Sequence, residues 1–266
     1  MLDGSFGVET DNISLQFGGQ VALRDVSLKL SYGQFVALIG PNGSGKTSLC
    51  NVLSGVYRSD RGRVFIDGTE ITTMGAHEIG KLSLSRTFQH GMIVEDLSVL
   101  ENVALGFKSS GDGGLLGAAF HWFRYSDHRK SILESSAILL EELGFGNICN
   151  KTTTNLSQLE RKKLELARCV ASMPSVLLLD ELTAGLNQRD KETLLGVLQD
   201  LFKKEIRNTL VVVIEHDIGF MRELCSYGVV LNRGSVIAEG KVDDVLSRDA
   251  VKMAYLGRMS SGSLVD

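Results

Sequence analysis

The sequence predicts an α/β protein with three parts: a core of buried parallel strands carrying a phosphate-binding loop, an N-terminal antiparallel β-subdomain, and an inserted helical subdomain. Three observations predict it. Gly40-Pro41-Asn42-Gly43-Ser44-Gly45-Lys46-Thr47 fits G-x-x-x-x-G-K-[ST], and it lies between an apolar run and a helix start. Three unbroken apolar runs, Phe35 to Ile39, Val176 to Leu179 and Leu210 to Ile214, have the length of strands covered on both faces. Between the first two of these runs, residues from about 90 to 170 carry mainly helical signals.

Composition sets the outer bounds. At 266 residues and 43% hydrophobic, the chain can build a sizeable core as one large domain with a subdomain, or as two small domains. A net charge of -4 argues against a nucleic-acid-binding face as its main business. No apolar run approaches the ~18–20 residues that cross a bilayer. Met1 to Asp11 has neither the basic start nor the apolar stretch of a secretory signal. Cys50, Cys149, Cys169 and Cys225 are far apart, lack metal-ligand spacing, and read as reduced thiols of a cytoplasmic protein.

Along the chain, Ile13, Leu15 and Phe17 alternate on one side of a first strand, Gly18-Gly19 turns, and Val26, Leu28 and Leu30 alternate on a second. Phe17 is plain core on this pattern, although a flat ring there would also suit stacking on a base. In the loop that follows, glycines let backbone amides approach anionic oxygens, and Ser48 to Leu53 continues as a helix whose first turn points free N–H groups the same way. Lys46 would reach the β- and γ-phosphates, and the Thr47 hydroxyl would bind Mg²⁺. Val64 to Gly68 reads as a strand and turn.

Gln89, in Arg86-Thr87-Phe88-Gln89-His90, offers one donor and one acceptor on a short arm, fit for a Mg²⁺ or an attacking water. Ser98-Val99-Leu100-Glu101 is a capping box opening a helix. Ser109 to Gly117 is a Gly- and Ser-rich loop. His121, Trp122, Phe123 and Tyr125 read as a contact surface or as an ordinary packed helix start. Ile132, Leu139 and Leu143 fall at helical spacing, with Gly144 as the stop.

The run ending in Asp180-Glu181 would bring two carboxylates beside the phosphate loop. Asp180 is suited to hold Mg²⁺ through its water shell, and Glu181 to polarise a water as general base. The third run ends in Glu215-His216-Asp217, where His216 could hydrogen-bond a γ-phosphate and hold that water in line. Val229 to Ala238 reads as a hairpin turning at Asn232-Arg233-Gly234. Residues 260–266 lack periodicity and read as a frayed tail.

With the phosphate loop, Gln89, Asp180-Glu181 and His216 in this order, nearly the whole chain resembles an ABC transporter ATP-binding subunit. The resemblance implies a P-loop NTPase core of ABC ATPase architecture over residues 1–259, with the helical subdomain at about 90–170 carrying the signature region. It implies ATP hydrolysis with ATP and Mg²⁺. In it Phe17 is the adenine-stacking aromatic, Gln89 the glutamine of the Q-loop, Ala184-Gly185-Leu186-Asn187 the D-loop, and His216 the switch histidine. Gly40 through Ser48, Asp180 and Ser157 would contact nucleotide, and Thr47, Gln89 and Asp180 the metal. Closer features are similar to the LivG-type ATPases of branched-chain amino acid importers. They are Arg86 to His90 with the long insert after it, Leu164 to Arg168, Ala184 to Asn187, Ile214 to Asp217, and Ala254-Tyr255-Leu256-Gly257. Related ATPases serve urea and short-amide uptake and lipid export. The implied partners are transmembrane permease subunits and a second ATPase subunit, with no nucleic acid. The implied place is the cytoplasmic face of the inner membrane, with His90 to Val94 as a permease contact or, for the apolar Met92-Ile93-Val94, local core.

The chain departs from the family at its signature. Where the family has Leu-Ser-Gly-Gly-Gln, this chain has Leu156-Ser157-Gln158-Leu159-Glu160. Ser157 keeps the hydroxyl that meets a partner-bound γ-phosphate, but Leu159 puts a branched side chain where backbone should approach. The departure points to an unequal pair with a second ATPase subunit, and pairing with itself is the alternative. A soluble ABC ATPase of DNA repair or translation is a competing class. It is weakened because no heptad run lies between Lys46 and Asp180, and the chain has a single phosphate loop. A regulatory ATP binder is weakened by intact Lys46, Asp180, Glu181 and His216.

Overall fold

The computed structural model describes residues 6–87, 93–107, 126–205 and 208–256. In chain order its elements are β1 (Phe6–Phe17), β2 (Gln20–Ser31), β3 (Gln34–Ile39), α1 (Lys46–Leu53), β4 (Arg61–Ile66), β5 (Thr69–Glu70), α2 (Ala76–Lys81) and β6 (Leu84–Arg86). Next come α3 (Val99–Ala104), α4 (Ser126–Glu142), α5 (Gln158–Ala171), β7 (Val176–Asp180) and α6 (Gln188–Glu205). The chain continues with β8 (Leu210–Ile214), α7 (Ile218–Leu224), β9 (Tyr227–Asn232), β10 (Ser235–Lys241), α8 (Val242–Ser247) and α9 (Asp249–Leu256). It divides into two compact units, Met1–Arg86 with Ser175–Glu181 and Lys204–Asp266, and Thr87–Pro174 with Leu182–Lys203.

The first unit holds both sheets. Four antiparallel strands run in the order β2-β1-β4-β5, and six strands in the order β10-β9-β3-β8-β7-β6. In the larger sheet β9, β3, β8, β7 and β6 are parallel, and β10 closes one edge antiparallel to β9. The three apolar runs are three of its four interior strands, and every residue of β7 and β8 is buried. Their side chains alternate in role. Val36, Leu38, Val176, Leu178, Leu210, Val212, Ile214, Val229 and Leu231 share one core with the inward residues of β1, β2 and β4 and with Leu49, Cys50, Val52 and Leu53 of α1. The period of two therefore covers both faces of the parallel sheet, while the antiparallel sheet buries one face only.

The hairpin of β1 and β2 forms with Phe17 opposite Gln20, so Gly18-Gly19 is the expected turn. Phe17 is not core. Ile13 and Leu15 are buried, yet Phe17 is 46% exposed and meets Tyr57 edge-on, with ring centroids 5.1 Å apart. The register shifts between Ile13 and Leu15 and between Leu15 and Gln16 place the extra residues on β2, so β1 keeps its period there. Phe17 is exposed because it is the last residue of β1, at the hairpin tip.

In the second unit the expected capping box forms. Ser98 Oγ accepts from the Glu101 amide, and Glu101 accepts from the Ser98 amide at 2.9 Å. Asn102, fully buried on α3, ties the preceding loop down: its amide side chain bonds the Val94 N–H and the Val94, Leu97 and Ser98 carbonyls. On α4 the buried line is Ser136 and Leu140, continued by Leu143. Of the expected residues Leu143 is buried and Ile132 and Leu139 are half-buried, so the expected face is the inward one, with Ser136 and Leu140 at its centre. Ser136 holds its place by donating to the Ile132 carbonyl at 2.7 Å. Residues 109–117, 121–125 and 260–266 lie outside the described residues. No described helix is long and apolar enough to cross a membrane.

No disulfide joins the four cysteines. Burial pushes the thiols of Cys50, Cys169 and Cys225 up to about 12. In native protein at pH 8, Cys149 alone is expected to react quickly with Ellman's reagent, and all four after unfolding. Two or more fast thiols in the native state would contradict this packing.

Candidate active site

Parallel strands deliver their ends to one edge. In the large sheet β8 separates β3 from β7, so the loop after β3 and the carboxylates after β7 face the same edge about 10 Å apart, two strand spacings. This is where open α/β sheets place their ligands.

The phosphate loop, Gly40 through Thr47, turns from β3 into α1. The Ser44 amide donates to Pro41 O at 3.1 Å, and the Ser44 carbonyl accepts from the Gly234 amide at 2.9 Å. Gly40 has φ +154, and a Cβ there would lie 2.2 Å from the Leu231 carbonyl oxygen and 2.6 Å from Ser44 Oγ. Only glycine fits. Lys46, buried, donates its ammonium to Gly40 O at 2.6 Å and Pro41 O at 3.2 Å, the loop's own carbonyls. The buried Ser44 hydroxyl has no hydrogen-bond partner among the described residues. A cation resting on carbonyls and an unanswered hydroxyl, beside a helix N-terminus, form a cradle suited to phosphate oxygens. Asn42, Gly43 and Thr47 are exposed, while Pro41, Gly45 and Ser48 are half-buried. Gly40→Ala is expected to weaken ATP binding about 100-fold or more, as measured by calorimetry. Binding within a few-fold of the parent would contradict the close approach.

The carboxylates separate in environment. Asp180 ends β7 buried, and its Oδ2 accepts from Arg86 Nη2 at 2.6 Å. Glu181 follows with φ 49, a conformation that costs a non-glycine residue energy and clusters at functional positions. Its amide is fixed on the Ile214 carbonyl at 2.8 Å. From the end of β8, His216 brings Nε2 to 3.1 Å from Glu181 Oε1, and the imidazole is more than half exposed. The two residues expected to act on a water thus meet across 35 residues of sequence.

Two further groups join this edge without having been assigned a role. Arg86, noted in the sequence only as part of a motif, pairs with Asp180. Tyr255 of α9 has its hydroxyl against the backbone of Gly40, and burial raises its pKa while that hydrogen bond opposes the rise. Nothing local marks either partnership, because the first spans 94 residues and the second joins α9 to the phosphate loop.

Gln89 lies outside the described residues. Ser157 is in the second unit, where it caps α5: its hydroxyl accepts from the Glu160 amide at 3.3 Å, and its amide donates to Glu160 Oε2 at 2.7 Å. The Glu160 carboxylate is therefore folded back on its own helix end. Ser157 and Gln158 are exposed and Leu159 is half-buried. Gln158 Oε1 lies 2.5 Å from where a Cβ on Gly185 would stand, and Gly185 has φ +80, a conformation that strains any other residue. Asn187 continues that loop into α6, bonding the Asp190 amide at 2.9 Å.

The profile of the ABC transporter family matches residues 23–184. The high-affinity branched-chain amino acid transport ATP-binding protein BraF of Pseudomonas aeruginosa is 31% identical over 250 residues, 94% of this chain and 97% of that protein. Among solved structures, the ADP conformation of MJ1267, an ATP-binding cassette of an ABC transporter, superimposes with a TM-score of 0.81 at 28% identity, covering 96% of this chain and all of the other. A dimeric post-hydrolysis cassette, MJ0796 bound to ADP and Pi, gives a TM-score of 0.70 at 25% identity, covering 88% of this chain and 98% of that one.

Proposed function

This chain belongs to the ABC transporter family, and we propose that it is the ATP-hydrolysing subunit of a membrane importer for branched-chain or related amino acids. The observation that carries the ATPase reading is the meeting of Glu181 with His216 at the sheet edge that also presents the phosphate loop. The substrate class is supported by the end-to-end similarity to BraF, whose role is branched-chain amino acid transport.

In this reading Phe17, exposed at the hairpin tip, stacks on the adenine. Lys46 exchanges its loop carbonyls for β- and γ-phosphate oxygens, and the Ser44 hydroxyl and the first amides of α1 take the rest. Glu181 accepts the proton of the attacking water, and His216 orients that carboxylate and the γ-phosphate. Thr47 and Asp180, together with Gln89, would hold Mg²⁺, a hard cation matched to hydroxyl, carboxylate and amide oxygens. Bound there, the ion would neutralise charge on the phosphates.

Two ATPase chains would close on ATP and reopen after hydrolysis, moving permease subunits at the cytoplasmic face of the inner membrane. The helical subdomain, about 90–170, would carry Ser157 to the partner's γ-phosphate. Gln158 and Leu159 in place of glycines support an unequal pair, in which the site closed by Leu159 hydrolyses slowly. Leu159→Gly is expected to raise phosphate release by the assembled complex several-fold, and unchanged turnover would favour a symmetric pair. Uptake of labelled leucine by cells lacking the chain tests the cargo. Lost leucine uptake is expected, whereas normal leucine uptake with lost urea uptake would move the importer to amides.

A further inference from the structure

Arg86, at the end of β6, is held on three sides. Its Nη1 donates to Asn51 Oδ1 at 2.7 Å and Ser54 Oγ at 3.0 Å, and its Nη2 donates to Asp180 Oδ2 at 2.6 Å. The paired side chains are 7% and 2% exposed. Asn51 lies on α1 and Ser54 closes it, the Ser54 hydroxyl donating to Cys50 O at 2.7 Å. Thr47 and Asn51 are four residues apart on that helix, so they share a face. The helix face that Arg86 grips is thus the one that carries the Thr47 hydroxyl.

We infer that Arg86 is a positioning residue for the metal, setting the Asp180 carboxylate at a fixed distance and angle from Thr47. The inference rests on the reading that Asp180 and Thr47 hold Mg²⁺. A planar guanidinium can satisfy acceptors in two directions at once, where an ammonium is a single point donor. With Oδ2 clamped, the carboxylate cannot rotate freely. With Asn51 and Ser54 clamped by the same group, α1 cannot slide against β7. Partners of this kind, one step removed from a metal, typically change its affinity about 10–100-fold when removed.

The test uses Mn²⁺ as the metal probe and the full chain carrying Glu181→Gln, so that ATP stays intact. ATP affinity is measured in EDTA and again with Mn²⁺, and Mn²⁺ affinity of the ATP-bound protein by electron paramagnetic resonance. Arg86→Gln is expected to weaken Mn²⁺ binding about 10-fold or more while leaving metal-free ATP affinity within about two-fold. Arg86→Lys should recover part of the loss. Equal losses in both affinities would make Arg86 merely structural and overturn the inference, as would an unchanged Mn²⁺ affinity. Asn51→Ala, which leaves the ion pair in place, covers the case in which Arg86→Gln does not fold. It should weaken Mn²⁺ about three-fold or more with metal-free ATP binding intact, and no change would overturn the inference. Asp180→Asn separates the two readings: if it keeps the full Mn²⁺ effect, the assignment of Asp180 itself fails.

Discussion

Glu181→Gln is expected to cut ATP turnover about 10²–10⁴-fold, the usual contribution of a positioned general base, while ATP binding persists. The amide keeps the size of the side chain and can still hydrogen-bond His216, but it cannot take a proton from water. Phosphate release measures the first effect and calorimetry the second. Loss of binding together with turnover would mean that the substitution damages the cradle rather than the chemistry. The trapped state also reports on assembly. Solution mass with and without ATP should stay that of a monomer if the Leu159-containing signature needs a different partner. An ATP-dependent dimer of this chain alone would remove the case for an unequal pair.

Arg86→Met is expected to lower stability by about 3–5 kcal/mol, the cost of leaving one member of a buried ion pair without the other. Both side chains are almost wholly shielded from water, so solvent cannot take over the role of the guanidinium. Removing Asp180 as well, in Arg86→Met with Asp180→Leu, should restore most of that loss, because no buried charge is then stranded. Guanidinium unfolding of the three proteins gives the comparison. A double variant no more stable than Arg86→Met would show that the pair's charge is not the source of the effect.

What could be read in the sequence was local. The phosphate loop, the all-apolar runs that became β3, β7 and β8, and the Ser98–Glu101 box each declare themselves within a few residues. The hairpin was legible too, but the exposure of Phe17 was not, because the apolar alternation runs on to the turn while burial stops at Leu15, short of the hairpin tip. The inward face of α4 was legible from Ile132, Leu139 and Leu143, but Ser136 on it was not: a serine that bonds its own helix can be buried where apolar periodicity alone looks for leucine. Of the candidate site, Lys46 was visible in the phosphate-loop motif, and Asp180, Glu181 and His216 as residue types at or just after strand ends. The Arg86–Asp180 pair spans 94 residues, and the partner of Tyr255 lies at the other end of the chain. Contacts made by the fold leave no spacing to read.

The capping box at the start of α5 has a consequence for recognition. A helix end attracts anions because its first amides lack acceptors, and here the Ser157 amide and one of those first amides already have them. A phosphate arriving at that end competes with a carboxylate tethered three residues away, whose effective concentration no soluble anion matches. On the proposed reading, a phosphate that took the Ser157 amide would displace Glu160, which favours a ligand presented at fixed geometry by another protein over the same ligand free in solution.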